Sequence, residues 1–137
     1  MSELRRAYAH ELQLSEAASA TGALDVAFAH LERAHILGQR WLWPHWQTHW
    51  RMLCIARRRG DGREIVGQCL RLVATPVGWL LGWVPIGNTG GVDVSAMRPL
   101  PLPTDLAPLL PPVPWYQGLP VRLAIVLAVT SLWGLSR

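Results

Sequence analysis

The chain has 137 residues, half of them hydrophobic, and a formal net charge of +4 in which arginine supplies every basic side chain. This length suits one domain with its own core and excludes two independent domains. The basic run Arg57–Arg59 precedes Gly60 at a predicted helix end, where cations interact favourably with the negative end of the helix dipole. Neither stacking aromatics nor a groove-reading motif accompanies this run, so we predict no nucleic-acid partner.

The first twenty residues carry five charged side chains and lack the apolar segment of a secretory signal. We therefore expect a cytoplasmic protein in which Cys54 and Cys69 are reduced thiols. The two cysteines lie at similar distances on either side of Asp61, the expected turn of a helical hairpin, so antiparallel helices would bring them side by side. We expect both to be small buried hydrophobic residues, with a soft metal site or a redox pair as the alternative.

Apolar residues at helical spacing, divided by turn residues, predict four helices before residue 84. Their expected ranges are about 3–20, 24–37, 44–59 and 62–84. Pro44 suits the first turn of the third helix, and Asp61 is placed to cap the fourth. Within the fourth range, the helix must end or kink at Pro76. Because the connections are short, the predicted fold class is all-α, with two antiparallel helical hairpins.

Residues 85–118 differ in composition, since they hold eight of the eleven prolines and the glycine-rich run Gly87–Gly91. Such a segment is predicted to be an irregular strap over the helices, held there by apolar side chains. Residues 1–118 would then form a single helical domain. The expected anchors of the strap are Val92, Val94, Met97, Leu100, Leu102, Leu106, Leu109 and Leu110.

Residues 119–137 are predicted to form an apolar C-terminal helix. Its thirteen uncharged residues, 123–135, would rise about 20 Å, less than the roughly 30 Å of a membrane hydrocarbon core. A full membrane span is therefore not expected. Because the helix has no polar face, it should be buried on its own domain, in a homo-oligomer, against a protein partner or at a membrane surface. The last case would make the cytoplasmic protein peripheral to the inner membrane.

Four of the five histidines lie in two short stretches, HLERAH and HWQTHW. On a helix, Glu32 and His35 lie about 60° apart on one face. His45 and His49 lie about 40° apart and one turn removed, a spacing that lets two imidazoles bind one ion. Across an antiparallel hairpin the two pairs would face each other, which predicts a transition-metal site for Zn, Cu, Fe or Mn. His30, about 140° from His35, is a less suitable ligand.

Other interpretations of the same residues lead to different functions. Glu32 and His35 form the Glu-x-x-His pair of di-iron bundles, but such bundles need a second pair and two further glutamates. If no metal is bound, the histidines are packed, hydrogen-bonded residues, and the Trp-rich third helix favours a module that binds a protein partner. Nothing in the sequence has the arrangement of an activated nucleophile, so no catalytic residue is assigned and enzyme activity is left open.

The run Gly87–Gly91, with the sequence GNTGG, could form an anion-binding nest of backbone N–H groups. However, no basic residue follows it at the spacing of a phosphate-binding loop. A tight turn is therefore the simpler interpretation of these glycines.

Several short motifs together resemble those of a family of short bacterial proteins known only as a domain of unknown function. The motifs are His30–His35, Leu37–Gln39, His49-Trp50, Met52-Leu53, Gly67-Gln68, Val84–Gly91, Arg98-Pro99 and Asp105-Leu106. The resemblance covers about residues 22–110 and implies no established activity. It implies only that the histidine stretches and the glycine-rich run belong to one family pattern, which favours a shared site over chance. The segment after about residue 112 departs from the family.

Overall fold

The structure, a computed structural model, describes residues 2–112 and 119–135. Across these residues it contains five α-helices and no β-strand, so the predicted all-α fold class is confirmed. A short 3₁₀ turn is the remaining regular element. The helices are α1 (Glu3–Ala20), α2 (Leu24–Gly38), α3 (Leu42–Arg59), α4 (Gly62–Leu80) and α5 (Leu119–Leu135), and the 3₁₀ turn is Ala107–Leu109.

The helix ends follow from local chemistry in most places. The Ser2 hydroxyl accepts a hydrogen bond from the Arg5 N–H at the start of α1, and the Asp61 carboxylate accepts one from the Glu64 N–H at the start of α4. Gly60 ends α3 with a φ of 68°, a left-handed conformation that favours glycine. The start of α3 differs from prediction, because the helix begins at Leu42, two residues before Pro44.

Helix α4 continues through Pro76 to Leu80, four residues short of the predicted end at 84. Pro76 has no N–H to donate to the carbonyl of Leu72, one turn earlier. The indole N–H of Trp46, on α3, donates to that carbonyl instead, at 3.1 Å. A side chain from the neighbouring helix thus replaces the hydrogen bond that proline removes.

Successive helices from α1 to α4 pack against one another, as the predicted hairpins require. One core cluster lies between α2 and α3, where Phe28 and Leu31 meet Met52 and Ile55. Glu11 of α1 joins α1 to α2 by polar contacts, since its carboxylate accepts hydrogen bonds from Arg33 at 2.7 Å and pairs with His30 at 2.8 Å.

The irregular segment after α4 packs over the helices through a second core cluster. Leu106 is buried with Leu4 and with Ile36 and Leu37 of α2, and Arg33 forms an ion pair with Asp105. Among the remaining predicted anchors, Leu102, Leu109 and Leu110 pack against this cluster, whereas Met97 is exposed. Residues 113–118 of the predicted strap lie outside the described residues.

Helix α5 is apolar around its whole circumference, and most of its described side chains are exposed. Arg122 donates to the Leu81 carbonyl at 2.6 Å, which ties its first turns to the end of α4. No helix among the described residues has the length and apolar character needed to cross a membrane.

The two cysteines are exposed free thiols. The prediction that they are buried hydrophobic residues is therefore wrong. Cys54 lies at a surface cavity between α1 and α3, so its helix face points away from the packed interior.

Candidate metal centre

Three histidines from two helices meet in the interior. His35 comes from the last turn of α2, and His45 and His49 come from successive turns of α3. The Nε2 atom of His49 lies 3.2 Å from that of His35 and 3.1 Å from that of His45. Their potential ligand atoms all lie within 4.8 Å of one another, so the three side chains, here called the histidine triad, could hold a metal ion.

The proton of the His35 ring is located by its hydrogen bond to the loop after α4. His35 Nδ1 lies 2.7 Å from the Asn88 carbonyl oxygen. A carbonyl oxygen only accepts, so Nδ1 must carry the proton. The Nε2 atom of the neutral ring, which faces the other two histidines, therefore carries a lone pair and no proton.

The same argument applies to His49 and Gln68. His49 Nδ1 lies 2.8 Å from Gln68 Oε1. The orientation of this amide is fixed, because Gln68 Nε2 donates to Glu64 at 2.6 Å and to the Gly90 carbonyl at 2.8 Å. The Gln68 oxygen thus accepts from Nδ1–H, and the His49 Nε2 lone pair also faces the triad.

Two lone pairs therefore face each other at 3.2 Å without a proton between them. A proton on His45 Nε2 could satisfy His49 only. It would leave buried His45 Nδ1, which has no hydrogen-bond partner among the described residues, as a bare acceptor. Leaving such polar atoms unpaired in the interior is unfavourable. A cation shared by the three Nε2 atoms would remove the repulsion between the facing lone pairs, and His45 Nδ1 would then carry the proton of its ring.

Protonation is not an alternative source of positive charge near neutral pH. Burial lowers the pKa of His35 well below its usual value, and the neighbouring imidazoles add to the effect. Burial likewise lowers the pKa of His45 to about 3 and that of His49 to about 4. All three rings are therefore neutral at pH 7, the state in which imidazole binds metal ions.

The glycine-rich run fits closely around the triad. Asn88 is buried, and its side chain accepts from the Gly90 N–H at 2.9 Å while donating to two carbonyls further along the segment. Gly90 has a φ of 82°, and a Cβ atom there would lie 2.7 Å from the His35 ring. The run is thus a packed wall that orients His35, which is a more specific role than the tight turn expected from sequence.

The structure does not bring Glu32 or His30 to the triad. Glu32 interacts with Thr89 and lies at a separate polar cavity with Glu64 and Asp93, where burial raises its pKa. The glycine-rich run keeps it there, because Gly91 lies against the Glu32 carboxylate while Gly90 lies against His35. His30 lies on the α1 side of α2, paired with Glu11. Within the part of the chain that the structure describes, the candidate centre therefore has three nitrogen donors and no carboxylate.

The triad also forms part of the wall of a cavity of about 610 Å³. Most of the other lining side chains are apolar and come from α4 and from the segment between Trp83 and Met97. Arg71 is the charged residue among them, and it donates to the carbonyls of Gly91 and Val94 at 2.9 and 2.6 Å. A small molecule in this cavity would thus contact both the triad and an apolar surface.

The sequence analysis missed the residues that surround the triad. Gln68, Asn88 and Arg71 have no ligand spacing of their own, so helical periodicity could not identify them. Gln68 and Asn88 do lie within the motifs that carry the family resemblance. That co-occurrence was the one signal in the sequence that pointed to them.

Comparison with known proteins identifies a family but no activity. The family described as "Protein of unknown function (DUF3703)" matches residues 2–110. This range contains α1 to α4, the triad and the glycine-rich run, and it begins about twenty residues earlier than the resemblance in the sequence suggested. No curated protein and no solved structure matches the chain.

Proposed function

The chain belongs to the family DUF3703, and we propose from its site that it is a small metal-binding protein. One transition-metal ion would be held by the Nε2 atoms of His35, His45 and His49. The observation that carries the proposal is the pair of unprotonated Nε2 atoms 3.2 Å apart in the interior. Two nitrogen ligands of a tetrahedral Zn²⁺ ion, each 2.0–2.1 Å from it, lie roughly 3.3 to 3.4 Å apart, close to the separations of His49 Nε2 from the Nε2 atoms of His35 and His45.

The three imidazole nitrogens restrict which metal ion the site favours. Imidazole suits Zn, Cu and Fe, whereas Mn favours carboxylate and carbonyl oxygen. Because Glu32 lies elsewhere, the site favours Zn, Cu or Fe over Mn. Three protein ligands also leave a fourth position open, as in metal sites that bind water or a substrate rather than in closed structural sites.

The test is the metal content of purified full-length protein after incubation with Zn²⁺ and gel filtration, measured by plasma mass spectrometry. We expect about one ion per chain, and we expect His35→Ala or His49→Ala to lose it, because each removes one of three ligands. Gln68→Leu should retain an ion but bind it roughly 10- to 100-fold more weakly in a chelator competition, since the residue only orients His49.

Matched controls come from the predicted ligands that the structure places elsewhere. His30→Ala and Glu32→Gln remove a histidine and a carboxylate outside the triad, so both should leave the stoichiometry unchanged. If either control loses the ion as completely as His35→Ala, the ligand set proposed here is incorrect. A parent protein that binds no Zn²⁺, Cu²⁺ or Fe²⁺ would contradict metal binding altogether.

A protein-interaction module is a second candidate, supported by an aromatic ladder on α3. Trp43 stacks on Trp46 with 5.6 Å between ring centroids, and Trp46 stacks on Trp50 with 6.1 Å. Trp43 is 66% exposed and Trp50 is 49% exposed. Because large aromatic residues are enriched at the centres of protein interfaces, their exposure here suggests a surface that a partner covers. A second copy of the chain is the partner that can be tested directly. If the chain self-associates through this ladder, the double variant Trp43→Ala/Trp50→Ala should have a lower oligomeric mass than the parent in sedimentation velocity, with the same helicity.

A further inference from the structure

The cavity beside the triad has the size and lining of a small-molecule site. Its volume of about 610 Å³ lies inside the roughly 300 to 1,000 Å³ that is usual for ligand pockets. Val73 and Val77 of α4 and Trp83 and Met97 of the following segment line it, and all four side chains are more than half exposed. A ligand with an apolar body would cover them.

The polar end of the cavity carries positive charge. A divalent ion on three neutral imidazoles keeps its full charge, and the Arg71 guanidinium lies in the same wall. Burial lowers the pKa of Arg71, but an arginine side chain stays protonated in proteins. The carboxylate that acts on Arg71 is Glu64, and its oxygens already accept from Gln68 and from the Val92 N–H. One carboxylate does not balance a divalent ion together with a guanidinium.

From this combination we infer that the cavity binds a small apolar carboxylate whose anionic head occupies the open position of the metal and whose hydrocarbon body lies along α4. The inference rests on the proposed metal site. An excess of positive charge beside half-buried Arg71 favours an anion at the open position, and the apolar walls favour a hydrocarbon over a hydrated inorganic anion. Arg71 helps to hold the head through its charge, and its hydrogen bonds to the glycine-rich run fix its position.

The experiment uses the full-length protein loaded with Co²⁺, whose visible absorption reports a change of metal ligands. Three ligands are titrated: octanoate, acetate, which lacks the body, and octanol, which lacks the charge. We expect octanoate to change the spectrum and to bind at least roughly 100-fold more tightly than acetate. Octanoate has six more methylenes, and burying each contributes about fourfold, or about 4,000-fold for all six. Octanol should leave the cobalt spectrum unchanged.

A pair of variants on α4 tests the location. Ala74→Trp fills the cavity and should weaken octanoate binding at least about tenfold, because the added ring occupies the volume meant for the hydrocarbon. Val66→Trp adds the same side chain at an exposed position of the same helix that does not line the cavity, so it should bind octanoate like the parent. The three-ligand comparison on the parent decides the proposal even if Ala74→Trp does not fold.

The outcomes separate the two proposals. Stoichiometric Co²⁺ with octanoate no tighter than acetate, or with unchanged octanoate binding in Ala74→Trp, overturns the apolar-carboxylate site and leaves the metal site standing. A protein that takes up no Co²⁺ or Zn²⁺ overturns the metal site and this inference together. Stoichiometric Co²⁺ with selective octanoate binding that Ala74→Trp weakens supports both.

Discussion

Gly22 and Gly90 share the same backbone conformation, with a φ of 82° at each, but differ in their surroundings. A Cβ at Gly22 would meet nothing within 4 Å, whereas a Cβ at Gly90 would lie 2.7 Å from the His35 ring. Gly22→Ala should therefore reduce the free energy of unfolding by the strain alone, about 1 kcal/mol. Gly90→Ala should lose roughly 1 to 3 kcal/mol more, because the ring must move.

Urea unfolding of both variants measures this difference, and Zn²⁺ competition shows its effect on the site. Only Gly90→Ala should weaken Zn²⁺ binding, because only that methyl group displaces a metal ligand. Equal losses of stability in the two variants, with equal Zn²⁺ affinity, would mean that the glycine-rich run does not position His35.

The low pKa values of the triad predict how the metal-free protein responds to acid. In the unfolded chain the histidines titrate near 6.5, whereas in the folded chain burial lowers the pKa of His45 to about 3 and that of His49 to about 4. The unfolded state therefore binds more protons below about pH 6.5, and stability falls as the pH falls from there towards 4. The loss is up to roughly 1.4 kcal/mol per pH unit for each histidine.

Urea unfolding in the presence of a chelator, at several pH values between 7.5 and 5, measures this slope. His49→Gln should reduce this slope by about one proton. A metal-free protein whose stability is constant from pH 7.5 to 5 would contradict the neutral, buried state assigned to these rings.

Between helices α3 and α4, the Trp46 indole N–H donates to the Leu72 carbonyl, which Pro76 leaves without its usual backbone donor. Trp46→Phe keeps an aromatic ring but removes the N–H that serves the Leu72 carbonyl. We expect it to reduce the free energy of unfolding by about 1 to 2 kcal/mol. In a Pro76→Ala background the restored backbone N–H can serve that carbonyl, so the same substitution should be milder by about 1 kcal/mol. A double-mutant cycle from urea unfolding gives the coupling, and a coupling near zero would show that the two groups act independently.

Sequence reasoning succeeded for elements whose signals are local. Gly60 and Asp61 mark the turn between α3 and α4 because a left-handed residue and a side-chain cap act within a few residues. The end of α4 was placed four residues too late, since the helix ends at Leu80 just before Gly82, which has a φ of 69°. Its passage through Pro76 depends on a neighbour, because nothing near Pro76 in sequence reveals that Trp46 will replace the missing hydrogen bond. Helix propensity carries no information of that kind.

The same distinction applies to the candidate centre. The i, i+4 spacing of His45 and His49 identified two residues of the triad, and the short hairpin brought His35 to them. Glu32 was expected there because it shares a helix face with His35. The structure separates the two, since a segment more than fifty residues away in sequence packs between them. Periodicity gives the face of a helix but not what covers it.

At the scale of the whole molecule, helices α4 and α5 both carry exposed apolar side chains. On α4, Val66 and Leu80 are more than half exposed and do not line the cavity beside the triad. Helix α5 exposes a further apolar surface. Contiguous exposed apolar patches of this kind are typical of association or membrane-binding surfaces. Self-association therefore ranks first as a proposal, and membrane-surface binding second.

Deletion of residues 119–137 tests the part played by α5. Because its described side chains are mostly exposed and the triad lies within residues 35–49, the shortened protein should keep its helicity up to residue 80 and bind Zn²⁺ like the full chain. It should also be more soluble and contain fewer chains per particle in sedimentation velocity, since an apolar surface is lost. Circular dichroism and Zn²⁺ competition check the first expectation, and sedimentation together with flotation on anionic lipid vesicles separates self-association from membrane binding. If the shortened chain unfolds, α5 is part of the folded core and the prediction of external docking is wrong. Only burial against the domain would make these nineteen apolar-rich residues necessary for the fold.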